Sequence, residues 1–147
     1  MRGYFGIGIE NYSKDVNVGT LWRSATILGA RFIFTIGNKR YNRQSSDTND
    51  SAKHVPLFHF ESPRSFQSSL RDCCVIGVEM CPQAIEIQKF THPERAVYIL
   101  GNERVGLSSD SIEICDVIVR LPGEISFNVS TAGSIICFDR ITKFNNK

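Results

Sequence analysis

Six short apolar runs, at residues 3–10, 31–36, 55–60, 74–79, 96–100 and 117–121, recur along the chain with helix-patterned or polar segments between them. Runs of five to eight apolar residues that do not alternate strictly suit strands buried on both faces, and the intervening segments suit crossover helices. The first of those helices is expected from about Asn17 to Gly29, because Val18, Leu21, Trp22, Ala25 and Leu28 recur at three- and four-residue spacing. Ser62-Pro63 supplies an N-cap and first-turn proline for a helix to about residue 71. A brief helix is expected over 108–115 and a closing one from Val129 to about residue 144. Strand and helix signals in alternation predict an α/β fold with a mostly parallel sheet flanked by helices.

The chain has 147 residues, 41% of them hydrophobic. That is enough for one compact domain over 1–147, without an appended recognition domain. No stretch approaches the roughly 18 consecutive apolar residues of a membrane span, and Glu10 cuts short the apolar opening with no signal-peptide pattern. A soluble cytoplasmic protein with no membrane partner is therefore expected. The five cysteines form no C-x-x-C pair and no zinc-type spacing, so free thiols and no metal site are expected, with Cys115 and Cys137 packed in apolar segments. A formal charge of +2 is too small for general attraction to nucleic acid, so any such contact must come from a local patch. Lys39, Arg40 and Arg43 around Tyr41, at the start of a long polar loop over 37–56, form one candidate patch; a plain solvated loop is the other reading.

Three clusters carry chemistry. Asn17-Val18-Gly19-Thr20-Leu21-Trp22-Arg23 places an amide, a glycine and a guanidinium on the first helix, with Arg23 off its buried stripe. Taken alone, this segment favours reading Arg23 as a solvated helix arginine, and Asn17 reads equally as an N-cap. Gly101-Asn102-Glu103-Arg104-Val105-Gly106-Leu107-Ser108 leaves the carboxyl end of a strand, where α/β sheets present ligand sites. Its glycine spacing matches a phosphate-binding loop, but Leu107 stands where that loop needs its lysine, which excludes the nucleotide-triphosphate reading. Ser126-Phe127-Asn128-Val129-Ser130 opens the closing helix; its polar residues serve equally as ordinary caps.

The order N-x-G-x-x-x-R, G-N-E-x-x-G-L and S-F-N-V-S resembles the SpoU/TrmH family of the SPOUT superfamily, whose third block normally has leucine where Phe127 stands. The resemblance covers nearly the whole chain. It implies a SPOUT fold with a C-terminal trefoil knot, an exception to the rule that chains are unknotted. It also implies an enzyme that uses S-adenosylmethionine (AdoMet) to methylate a ribose 2′-hydroxyl of tRNA or rRNA, working as a homodimer without a metal. By resemblance, Leu100, Gly101, Asn102, Gly106, Val119, Leu121, Ser126 and Asn128 hold the cofactor. Arg23, Asn17, Glu103, Ser126 and Asn128 form the catalytic set, and Arg23, Lys39, Arg40 and Arg43 contact RNA. Because a guanidinium titrates above about 12, Arg23 is expected to clamp the phosphate next to the target ribose and not to act as base. Two rival readings are a non-catalytic RNA-binding homologue and a base-nitrogen methyltransferase of the same superfamily. Retention of Arg23, Glu103, Ser126 and Asn128 counts against the first, and the ribose-type arginine block against the second.

Overall fold

A computed structural model describes residues 3–41 and 55–147. Seven strands are β1 (Tyr4–Glu10), β2 (Phe32–Ile36), β3 (Leu57–Phe60), β4 (Cys74–Val78), β5 (Ile85–Glu86), β6 (Arg95–Leu100) and β7 (Val117–Arg120). They form one sheet in the order β3-β2-β1-β6-β4-β7-β5, and every pairing is parallel. Helices α1 (Asp15–Ile27), α2 (Pro63–Ser69), α3 (Ser109–Ile114) and α4 (Val129–Asn145) connect or follow the strands. The expected elements are all present to within two residues at each end. β5 and the 3-10 turn Ile87–Lys89 were not anticipated, because two residues of strand carry no periodicity.

Helices α1 and α4 pack over one face of the sheet, where Phe5, Ile7, Ile9, Ile33, Tyr98 and Leu100 meet Leu21, Trp22 and Ile136. On the other face Phe66 of α2 stacks on Phe34 at 4.2 Å between ring centroids, beside Ile36, Val75, Val97 and Ile99. Because successive strand residues point to opposite faces, both faces need apolar residues, and that produces the uninterrupted apolar runs in the sequence. Ser62 caps α2 in a reciprocal box with Ser65, as its position before Pro63 leads one to expect.

The amino-terminal edge of the sheet is held by a buried cation that no sequence pattern announces. Arg140 of α4 is fully buried. Its guanidinium donates to Pro93 O at 2.6 Å, Glu94 O at 2.7 Å and the Tyr98 hydroxyl at 3.1 Å. It lies against the rings of Phe5 and Phe144. His92 bridges the same Tyr98 hydroxyl and the Asp139 carboxylate, at 2.6 and 2.7 Å. Burial pushes His92 below its ordinary pKa; Asp139 opposes this, and Lys143 and Arg140 reinforce it. Removing the guanidinium leaves two carbonyls and a hydroxyl short of donors in a dry site. Arg140→Leu should therefore lose about 2–4 kcal/mol of unfolding free energy in urea; a loss under about 0.5 kcal/mol, the scale of surface substitutions, would show that the cation does not tie α4 down.

The sign of the pH effect follows from the depressed pKa of His92. Its contribution to stability is complete above the unfolded value of 6.5 and is lost as pH falls, because the unfolded chain takes up the proton first. His59, also lowered by burial and by Arg40, adds in the same direction. Urea unfolding at pH 7.5 and 5.5 should show lower stability at the acid value, with a clearly smaller drop in His92→Gln. An equal drop in the variant would assign the effect to other groups.

Candidate active site

All strands being parallel, their carboxyl ends lie on one side of the molecule, and the loops that follow β1, β4, β6 and β7 meet there. The loops after β4, β6 and β7, with the start of α4, enclose a cleft of about 230 Å³. Leu100, Leu121, Val129 and Ala132 give it an apolar wall, and Glu79, Glu103 and Arg104 also line it.

The glycine-bracketed segment is a tight hairpin. Asn102 and Gly106 exchange backbone hydrogen bonds of 3.2 and 2.8 Å. The Asn102 side chain accepts from Arg104 N and Val105 N and donates to Asn11 O at 2.8 Å, fastening the hairpin to the loop after β1. Both glycines are required sterically. A Cβ on Gly101 would lie 2.4 Å from the backbone of Gly106 and Leu107, and one on Gly106, whose φ is +73°, would lie 2.2 Å from Glu79 Oε2. Ser108 then caps α3 by accepting from Ser111 N at 3.1 Å. Its own N–H and hydroxyl donate to the buried Glu10 carboxylate at 2.8 and 2.6 Å.

One side chain joins all three motifs. Asn17 is buried in the first turn of α1, and its amide N–H reaches Glu103 Oε1 at 2.5 Å. Its amide oxygen accepts from Asn128 Nδ2 at 3.2 Å. Asn128 in turn caps α4, its oxygen accepting from Ser130 N, Ser130 Oγ and Thr131 N. Asn17 is thus not an N-cap, since Lys14 holds that position. Ser13 Oγ adds a bond of 2.8 Å to Glu103 Oε2. Burial tends to raise the Glu103 pKa, but hydrogen bonds from its own backbone, Ser13 and Asn17, with the charge of Lys14, outweigh it and hold the carboxyl below its usual range. At neutral pH Glu103 is therefore an ionised acceptor that fixes Asn17 and Ser13, and a weak base.

The structure gathers Leu100, Gly101, Asn102, Glu103, Gly106, Leu121 and Ser126 at the cleft, with Asn17 and Asn128 bonded behind Glu103. Ser126 is exposed, its hydroxyl 3.6 Å from Met80 Sδ, and Phe127 lines the cleft while 43% exposed. Val119 lies deeper, fully buried in β7 with its carbonyl accepting from Glu79 N. Arg23 is exposed on α1 and does not line the cleft. Lys39 donates to Ser13 O at 2.9 Å, lies 3.7 Å from Asp15 and sits over the Tyr12 ring, so its charge is partly engaged within the chain. Arg40 is exposed, and Arg43 lies outside the described residues. Gly19 leaves room for Tyr41, whose hydroxyl would be 3.1 Å from a Cβ there. Cys137 is buried and Cys115 half-buried, and burial pushes each thiol up to about 12, which makes both inert packing groups. Among the described residues no group of acidic, cysteine and histidine side chains is arranged to hold a metal ion. Sequence reasoning missed Ser13, Met80 and Glu79. Glu79 carried a usable signal, a carboxylate at the carboxyl end of an expected strand.

A model of the SpoU rRNA Methylase family matches residues 5–138. The tRNA (guanosine(18)-2′-O)-methyltransferase of Mus musculus is 28% identical over 136 residues, which are 86% of this chain and 8% of that protein. The SpoU methyltransferase AviRb of Streptomyces viridochromogenes, solved in complex with the cofactor AdoMet, superposes with a TM-score of 0.85 at 20% identity, over 99% of this chain and 59% of that one. The TrmH/SpoU tRNA modifying enzyme of A. aeolicus gives a TM-score of 0.87 at 19% identity, over 97% and 76% of the two chains. The chain spans less than two thirds of the mouse protein and of AviRb.

If Asn17 is a true bridge, Asn17→Ala and Asn128→Ala should not act independently. Their double mutant should be more stable than additivity predicts by about 1 kcal/mol in urea unfolding. Additivity to within roughly 0.3 kcal/mol would dissolve the proposed link between the motifs.

Proposed function

The chain belongs to the SpoU rRNA Methylase family, and from that premise we propose that it is an AdoMet-dependent RNA methyltransferase acting on a ribose 2′-hydroxyl of tRNA or rRNA. The observation that carries the reading is the Asn17 bridge, which joins the three motif clusters at one cleft through Glu103 and Asn128. The cleft suits the cofactor chemically. Its apolar wall of Leu100, Leu121, Val129 and Ala132 fits an adenine, and the hairpin backbone at Gly101 and Gly106 is left bare where a Cβ would collide. Bound AdoMet supplies an electrophilic methyl group. Asn17, Glu103 and Asn128 keep the hairpin and the start of α4 in register, so that Ser126 and the loop before α4 face the cleft in one fixed arrangement. Arg23 provides a permanently charged fork for the phosphate beside the target ribose and for charge developing on the attacking oxygen. Arg40 and Arg43 are the further RNA contacts, with Lys39 in a lesser role.

The homodimer belongs to the same proposal. It is supported by Arg23 lying on α1 away from its own cleft, which a second chain could bring to the partner's cofactor. Exposed Ile27 of α1 and Phe138 of α4, at 70% and 61%, supply apolar surface on the same pair of helices. The expected trefoil threading belongs to the same proposal. No described helix is long and apolar enough to cross a membrane; action in the cytoplasm is likewise part of the proposal.

Calorimetry should detect AdoMet binding without added metal, and its absence in folded protein would remove the enzyme reading. Arg23→Ala should still bind AdoMet but lose about 10²–10³-fold in methyl transfer; near-wild-type transfer would take Arg23 out of the mechanism. Digestion and mass analysis after reaction should place the methyl group on ribose, and a single 2′-deoxy target should be inert. Label on the base would favour the base-methylating rival.

A further inference from the structure

Glu79 stands at the cleft in a place that none of the three motifs covers. β4 ends at Val78, so Glu79 is the first residue beyond the carboxyl end of a strand inside the sheet, where open parallel sheets present groups to ligands. Two backbone groups fix its carboxylate. Met80 N donates to Oε1 at 2.9 Å and Leu107 N to Oε2 at 2.8 Å. Gly106 clears the space it occupies. An ionised carboxylate has about four acceptor sites, so these two bonds leave capacity on both oxygens. The other carboxylate residue lining the cleft, Glu103, likewise accepts one bond on each oxygen, from Ser13 and Asn17, so bond count alone does not separate the two.

Position along the hairpin decides what Glu79 can meet. Glu103 lies toward its tip, bonded to the Asn17 network. Glu79 lies against its base, at Gly106 and Leu107, close to the Leu100 and Gly101 wall that suits the adenine. The part of an adenosyl cofactor next to the base is the ribose. Its cis-diol offers two O–H donors on adjacent carbons, a match for two carboxylate oxygens held at fixed orientation. We propose that Glu79 recognises the ribose hydroxyls of the cofactor's nucleoside. The inference rests on the AdoMet reading above and adds a cofactor-binding residue to it.

A purely structural role for Glu79, holding Leu107 N, would weaken every ligand alike, so the test measures a coupling. Wild type, Glu79→Gln and Glu79→Asp are titrated calorimetrically with S-adenosylhomocysteine and with its 2′-deoxy and 3′-deoxy ribose analogues; thermal unfolding confirms that each protein is folded. In wild type, deleting a contacted hydroxyl should weaken binding at least about tenfold, as expected for a charge-assisted bond. In Glu79→Gln the parent ligand should bind about tenfold more weakly, and the hydroxyl deletion should then cost about threefold or less. Glu79→Asp, with the charge kept and withdrawn by one methylene, should likewise lose most of the hydroxyl discrimination. Equal hydroxyl penalties in wild type and both variants overturn the proposal, and with it the ribose as Glu79's partner, in favour of hairpin support or of the cofactor's ammonium. No binding of the parent ligand to wild type fails earlier, and overturns the AdoMet reading itself.

Discussion

Everything at the cleft depends on one buried amide. Asn17 donates to Glu103 and accepts from Asn128, and only an amide side chain offers both a donor and an acceptor at that length. Aspartate would place a second charge beside Glu103; leucine would leave that carboxylate and the Asn128 amide each short of a partner. Because Asn128 also caps α4, the bridge sets where the last helix begins relative to the hairpin after β6. The site is therefore assembled by polar contacts between loops whose strands are already fixed by the parallel sheet.

The opposite end of the molecule uses the reverse arrangement. There the loop before β6 is tied to α4 by a buried cation, Arg140, which has backbone carbonyls for partners. Its two terminal guanidinium nitrogens are hydrogen-bonded, and the group lies over the rings of Phe5 and Phe144. Helix α4 is thus anchored at both ends, by Asn128 at the cleft and by Arg140 and Lys143 at the far edge. A closing helix held this way can carry cleft residues such as Val129 and Ala132 without tilting.

The sheet and its helices were legible because burial on both faces writes itself as apolar runs, and because helix stops and caps such as Gly29 and Ser62 are local signals. Motif order singled out Gly101, Glu103, Gly106 and Ser126, which line the cleft, and Asn128, which is bonded to Asn17. What the sequence hid is non-local polar pairing. Asn17 read as a possible cap because nothing local shows a partner 86 residues away. Arg140 sits among residues patterned as helix, and its partners, the Pro93 and Glu94 carbonyls and the Tyr98 hydroxyl, lie before and within β6. Ser13 and Glu79 lie in a turn and at a strand end, where one polar residue looks like any other until the chain is folded.

The position of Arg23 bears on how helix α1 divides its work. Asn17 and Arg23 are six residues apart on one helix, about 9 Å along its axis, and the helix turns Asn17 inward while leaving Arg23 at the surface. The same element therefore organises one cleft and displays a cation elsewhere. An enzyme whose cleft and arginine were both meant for a single chain would gain from placing them on one face. Separation makes sense when the substrate, or a second copy of the chain, supplies the missing distance. Under the proposed two-fold arrangement each α1 would serve two sites, fixing the hairpin of its own and charging the other. Folding and dimerisation would then both be conditions for methyl transfer, while the cofactor cleft would need folding alone.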